Sequence, residues 1–140
     1  MQPASQRCGA AAEAAAWQRL QRCGLRLLRR NYRVRCGEID IIARDGEVLV
    51  FVEVRLRVQA GHGGAAASVD ARKRARIVRA ARYFLGGPGA AWAQAPCRFD
   101  VVAIDGSQLR WIRNAFDAGD GGSAPARASR VAANRGRMPE

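Results

Sequence analysis

The segment from Gly37 to Arg57, GEIDIIARDGEVLVFVEVRLR, constrains the fold more than any other. It holds two runs rich in β-branched residues on either side of Asp45-Gly46, a strong short-range hairpin signal. Taking Asp45 and Gly46 as a two-residue loop sets Arg44 opposite Glu47, Ile42 opposite Leu49, Asp40 opposite Phe51 and Glu38 opposite Glu53. Side chains alternate between the faces of a strand, and opposed residues share a face. One face then carries Ile39, Ile41, Ala43, Val48, Val50, Val52 and Val54, all apolar, and must be core. The other carries Glu38, Asp40, Glu53 and Arg55 beside Ile42, Leu49 and Phe51. A one-residue slip would invert these faces, and the apolar alternation argues against it.

Other elements follow from local signals. A helix is expected from about Ala10 to Cys23, stopped by Gly24. Leu25 to Arg35 reads as a first strand. Residues 58–68 are a Gly/Ala loop, and Ser68 can cap a helix from about Val69 to Leu85. Arg98 to Ile104 and Leu109 to Arg113 read as two further strands joined by Asp105-Gly106. Helix, three strands, helix, two strands imply an α/β layer fold: a central mixed β-sheet flanked by helices. Residues 1–8 are expected to be a flexible arm and residues 9–117 the folded domain. Residues 118–140, poor in large apolar side chains, are expected to be a disordered tail.

Composition narrows the classes. The 140 residues carry a formal net charge of +12, from 23 Arg and one Lys against 12 acids. The tail accounts for only +2, so the excess belongs to the folded part. A genome biased toward Ala, Gly and Arg explains the choice of cation. It explains less well the two-to-one ratio, which suits a polyanion such as nucleic acid. No apolar run is long enough to span a membrane. Cys8, Cys23, Cys36 and Cys97 form no C-x-x-C pair, so a zinc or disulfide scaffold is not expected and a reducing cytoplasm is.

The informative charges are the scarce ones. In the expected register Asp40 and Glu53 are diagonal neighbours, roughly 7–8 Å apart. Carboxylates gathered at the end of a hydrophobic hairpin repel one another and lose solvation. A divalent cation relieves both costs, and Mg²⁺ is commonly held by one or two carboxylates plus waters and phosphate oxygens. Arg55 points the same way and can hold a phosphate. Taken alone, a D…ExR pattern is more often a solvated sheet end. Glu13 shares a helical stripe with Ala16, Trp17 and Leu20. It is either a first-turn acid favoured by the helix dipole or a further site carboxylate. Lys73 lies in line with Val69, Ile77, Ala80 and Phe84, facing the sheet. Glu13, Asp40, Glu53 and Lys73 are thus expected to converge on one side of the sheet. Arg72, Arg74, Arg76, Arg79 and Arg82 spread over the outer face of the same helix, solvated or touching phosphate. His62, in a glycine loop, more often faces solvent. Asp100 reads as a strand-end anchor, and Trp111 as packing rather than a base-stacking partner of Arg113.

These residues together resemble a family. Ala12-Glu13, the stretch RN.R…GEID.IARDG..LVFVEVR from Arg30 to Arg55, the helix Val69–Leu85, CRFDVVAI from Cys97 to Ile104 and RNAF from Arg113 to Phe116 resemble the YraN family of bacterial proteins, from about Gly9 to Phe116. The family is similar to archaeal Holliday-junction resolvases and PD-(D/E)XK nucleases. The resemblance implies a restriction-endonuclease-like core and a Mg²⁺- or Mn²⁺-dependent nuclease acting on DNA, with branched structures as candidate substrates. Asp40 and Glu53 would be metal ligands and Glu13 the supporting helix glutamate. Catalytic work would fall to Glu13, Asp40, Glu53 and Arg55, and nucleic-acid contact to Arg55, Lys73, Arg72 and Arg76. Related resolvases dimerise, which makes a homodimer a candidate state, although the sequence carries no decisive dimer signature. Where the family reads EVK, this chain reads Glu53-Val54-Arg55. Arg keeps its proton where Lys can lose one, so Lys73 is a candidate to supply the missing ammonium. Two alternatives stand beside the nuclease: a non-cleaving nucleic-acid-binding module, and a basic domain that binds an acidic protein.

Overall fold

A computed structural model describes residues 4–56 and 69–121. His62 and Ser68 lie outside the described residues, as do the loop around them and the tail beyond 121. The chain runs α1 (Ala4–Arg22), β1 (Arg26–Val34), β2 (Gly37–Asp45), β3 (Val48–Leu56), α2 (Ala71–Leu85), β4 (Cys97–Asp105) and β5 (Gln108–Phe116). Short 3₁₀ turns occupy Ala90–Trp92 and Ala118–Gly121. The expected α/β architecture is present: a five-stranded mixed sheet in the order β1-β2-β3-β4-β5, flanked by helices. Among the described residues only β3 and β4 pair in parallel, because α2 forms the crossover between them.

The two helices cover different faces. Ala12, Ala16 and Leu20 of α1 pack on Ile41, Ala43, Val48, Val50, Val52, Val102 and Ile104. Ile77, Ala80, Ala81 and Phe84 of α2 pack with Val69 on Ile42, Leu49, Phe51, Phe99 and Val101. The expected apolar face of the hairpin is therefore the α1 face, with one exception. Ile39 joins the α2 cluster, beside its pairing partner Tyr32. The alternation breaks where Asn31 adopts a left-handed conformation (φ 53°), between the pairs Arg30↔Ile41 and Tyr32↔Ile39. That places Asn31 across from Asp40.

The hairpin register differs from the expected one by two residues. Asp45 pairs with Val48, so the loop is Gly46-Glu47, with Gly46 at φ 63°. A glycine at the first loop position is what a two-residue II′ hairpin requires. Asp45 is held in the strand by Arg98, whose Nη2 donates to it at 3.1 Å. A two-residue shift preserves the faces, but it moves Asp40 opposite Glu53, one step beyond the last pair, Ile41↔Val52.

Helix boundaries also shift. α1 begins at Ala4, so residues 4–8 of the expected arm are helical, and Glu13 lies in mid-helix. The helix-dipole account of Glu13 no longer applies. The N-cap of α2 is Asp70, whose carboxylate accepts from the Lys73 backbone N–H at 2.9 Å. Ala118, at the start of the expected tail, is buried in the α2-face cluster. Gly37 packs directly under α2, and a Cβ there would run into the Arg76 backbone carbonyl. This close approach carries Lys73, one turn earlier, over the end of the hairpin.

Candidate functional site

The site forms where β2 and β3 part. The Val54 backbone N–H donates to Asp40 Oδ2 at 2.8 Å, so the carboxylate lies at the strand ends. Glu53 follows Phe51 on the α2 face and is 4% exposed. Its Oε1 is buried with no hydrogen-bond partner. Its Oε2 has Arg55 Nη1 at 3.5 Å and Lys73 Nζ at 3.8 Å. Lys73 Nζ also donates to Glu38 Oε2 at 3.3 Å. The single lysine therefore bridges two carboxylates from α2.

The electrostatics follow from this packing. Burial, reinforced by the neighbouring Asp40 carboxylate, pushes the Glu53 carboxyl up to about 8, against the pull of Lys73 and Arg55. Burial also raises Asp40, although the Val54 N–H, a proton from Glu53 and Lys73 favour its ionised form. At neutral pH the facing pair holds one proton between them, because the buried Glu53 and the half-buried Asp40 beside it resist double ionisation.

Glu13 reaches this region from the other side of the sheet. Its helix packs on the α1 face, which corrects the expectation that all four residues converge on one side. Burial raises its carboxyl, as does the charge of Asp40, while Arg30, Asn31 and Arg33 oppose the rise. Its ion-pair partner is Arg30, at 3.9 Å. Glu13 is thus within electrostatic reach of Asp40 but pairs with β1. Among the described residues no three His, Cys, Asp or Glu side chains form a ready-made metal cage. Asp40 and Glu53 stand as a pair. Arg72 is exposed and Arg76 half-buried on α2.

Sequence reasoning missed Asn31 and Arg30. Asn31 hydrogen-bonds the Glu13 side chain and is left-handed inside a strand, where asparagine is itself uncommon. A non-glycine residue with positive φ marks strain and is often found near functional groups. An Asn within an Arg-rich strand was the signal available.

Asp100 behaves as expected of an anchor. It is fully buried and accepts from Arg98 Nε at 3.0 and 3.2 Å, from Trp111 Nε1 at 2.9 Å and from the Asn114 backbone N–H at 2.9 Å. Burial works against the Arg98 charge, but Asp100 and Asp45 outweigh it and raise the guanidinium's pKa. Trp111 is a hydrogen-bond donor in this network, with Arg113 stacked 4.0 Å from its ring centroid.

An α/β sheet with a buried glutamate facing a half-buried aspartate at a strand fork defines the class of molecule; the comparisons define the lineage. The model of the uncharacterised protein family UPF0102 matches residues 12–104. A UPF0102 protein of Dechloromonas aromatica is 55% identical over 113 residues, covering 80% of this chain and 90% of the relative. One from Ectopseudomonas mendocina is 53% identical over 113 residues, covering 79% and 94%. One from Stutzerimonas stutzeri is 51% identical over 118 residues, covering 81% and 98%. The chain belongs to the UPF0102 family, the YraN family that its motifs resemble. No described helix is long and apolar enough to cross a membrane.

Proposed function

We propose that this chain is a divalent-cation-dependent nuclease acting on DNA, with a restriction-endonuclease-like core and a D…ExR variant of the PD-(D/E)XK site. The observation that carries the reading is the Glu53 carboxylate, buried, with one oxygen unpartnered, beside Asp40. Two facing carboxyls in such a site can both ionise only where a cation completes them. Oxygen-only ligands of like charge suit Mg²⁺ or Mn²⁺, which takes its remaining ligands from water and phosphate.

Asp40 and Glu53 would hold the cation. When bound, it supplies Lewis-acid polarisation of a phosphoryl oxygen and a more acidic water. The chain's own residues do the rest. The Val54 N–H fixes the Asp40 carboxylate toward the fork. Arg55, which stays protonated, binds a phosphate oxygen and stabilises the charge that develops on it. Lys73, already beside Glu53, is the ammonium that takes the place of the lysine the family carries after Glu-Val. Glu13 adds negative potential from the opposite face.

The test is incubation of the purified chain with linear and branched DNA in Mg²⁺ or Mn²⁺. Cleavage that is lost in Asp40→Asn supports the reading. Absence of cleavage, or cleavage that survives Asp40→Asn, removes it as a property of this site. Salt-sensitive binding without turnover would instead favour the non-cleaving module, a reading that Arg55 in the lysine position supports.

A further inference from the structure

We propose that the β1 edge of the sheet is the surface along which the phosphate backbone of duplex DNA lies. Leu25 to Gly37 contains five arginines and no acid: Arg26, Arg29, Arg30, Arg33 and Arg35. All five are exposed. β1 is a sheet edge, with β2 on its only paired side. Its cations are little compensated. Arg30 lies 3.9 Å from Glu13 and Arg29 over the Tyr32 ring. Among the described residues no carboxylate pairs with Arg26, Arg33 or Arg35 within 4.0 Å.

The other basic surfaces differ. On α2, Lys73 is engaged by Glu38 and Glu53 and Arg74 buries its Nε, while the exposed Arg72, Arg79 and Arg82 are spread around the helix rather than aligned along one edge. At the opposite sheet edge, Arg113 lies over Trp111, and Asp105 and Asp117 flank β5. β1 gathers five exposed arginines in one row along a sheet edge, where phosphates gain from displaced counterions.

The occupant follows from two features. β1 is broken by an irregularity between Leu27 and Arg29. Such bulges, with outward charges, discourage the addition of another strand. Peptide augmentation is therefore disfavoured, and a second copy would set five arginines against five. The row also leads into the site: Asn31 lies across from Asp40, and Arg30 reaches Glu13. For the identity of its partner the proposal rests on the nuclease reading; the location comes from the charge distribution.

The experiment measures binding of the full chain to a short mixed-sequence DNA duplex across a NaCl series, in EDTA so that cleavage plays no part. The variant Arg26→Gln/Arg29→Gln/Arg33→Gln should bind roughly 10- to 100-fold more weakly, and its log–log salt slope should fall by about 2–3, near 0.9 per lost contact. Arg110→Gln/Arg113→Gln on the opposite edge should keep the wild-type slope. Arg26→Lys/Arg29→Lys/Arg33→Lys, which keeps the charge, should also keep it. Wild-type affinity and slope in the glutamine variant would overturn the proposal, as would equal loss in the glutamine and lysine variants. If the wild-type chain binds no duplex at low salt, the nucleic-acid reading itself falls. Cleavage assays in Mg²⁺ test the site independently of either result.

Discussion

Two buried carboxylates, Asp100 on β4 and Glu53 on β3, sit on neighbouring strands in opposite circumstances. Asp100 is fully buried and receives four hydrogen bonds from Arg98, Trp111 and Asn114. Glu53 is nearly as buried, yet one oxygen has no partner and its nearest cations stand at 3.5 and 3.8 Å. Beside it lies a second carboxyl rather than a donor. The satisfied acid holds β4 and β5 in place. The acid with an unpartnered oxygen is the feature on which the proposed cation site rests.

The largest expected effect breaks the satisfied member. Asp100→Ala leaves Arg98 and the Trp111 N–H without their acceptor and should destabilise the chain by about 3–5 kcal/mol in urea unfolding. A loss under about 1 kcal/mol would show that the network is not structural.

The next effect has the opposite sign. The folded Glu53 carboxyl titrates near 8 against the usual 4.5. Between these values the folded state holds a proton that the unfolded state has released. Stability of the metal-free protein should therefore fall as pH rises from about 4.5 to 8, by an amount on the order of a few kcal/mol. Glu53→Gln should flatten that fall and be the more stable protein at pH 8, as read from paired denaturation curves. A variant as pH-sensitive as the wild type would contradict the account.

A smaller effect tests how α2 delivers Lys73. Gly37→Ala forces the helix off β2 and should cost about 1–3 kcal/mol. It should also loosen Lys73 from Glu38 and Glu53, seen as a further rise in the Glu53 carboxyl by carbon-detected NMR titration. The smallest effect is Glu38→Gln. Its ion pair with Lys73 is partly exposed, so stability should change by no more than about 1 kcal/mol.

Much of this was legible in the residues. Element order, the two-faced hairpin, the inward stripe of Ile77, Ala80 and Phe84, and the anchoring of Asp100 follow from period and composition, whereas Val69 is buried ahead of the helix and Lys73 stays at its edge. What was not legible depends on distant partners. The register turned on Asp45 being held by Arg98, 53 residues away. The side from which Glu13 approaches is set by which face α1 packs on, and helical periodicity is silent about that. Ile39 lies in the α2-face cluster beside its partner Tyr32, a cross-strand placement that strict alternation within β2 does not give. The early start of α1 had no sharp signal, since its alanines extend a helix equally well in either direction.

The central claim is that Glu53 and Asp40 form a cation site. Its most direct test is calorimetric titration of Mn²⁺ into the full chain at pH 7, beside Asp40→Asn and Glu53→Gln. A cation site there predicts saturable binding by the wild type with release of a proton, which makes the heat depend on the buffer's ionisation enthalpy. It predicts loss of that binding in both variants. No binding by the wild type, or binding that both variants retain, would contradict it.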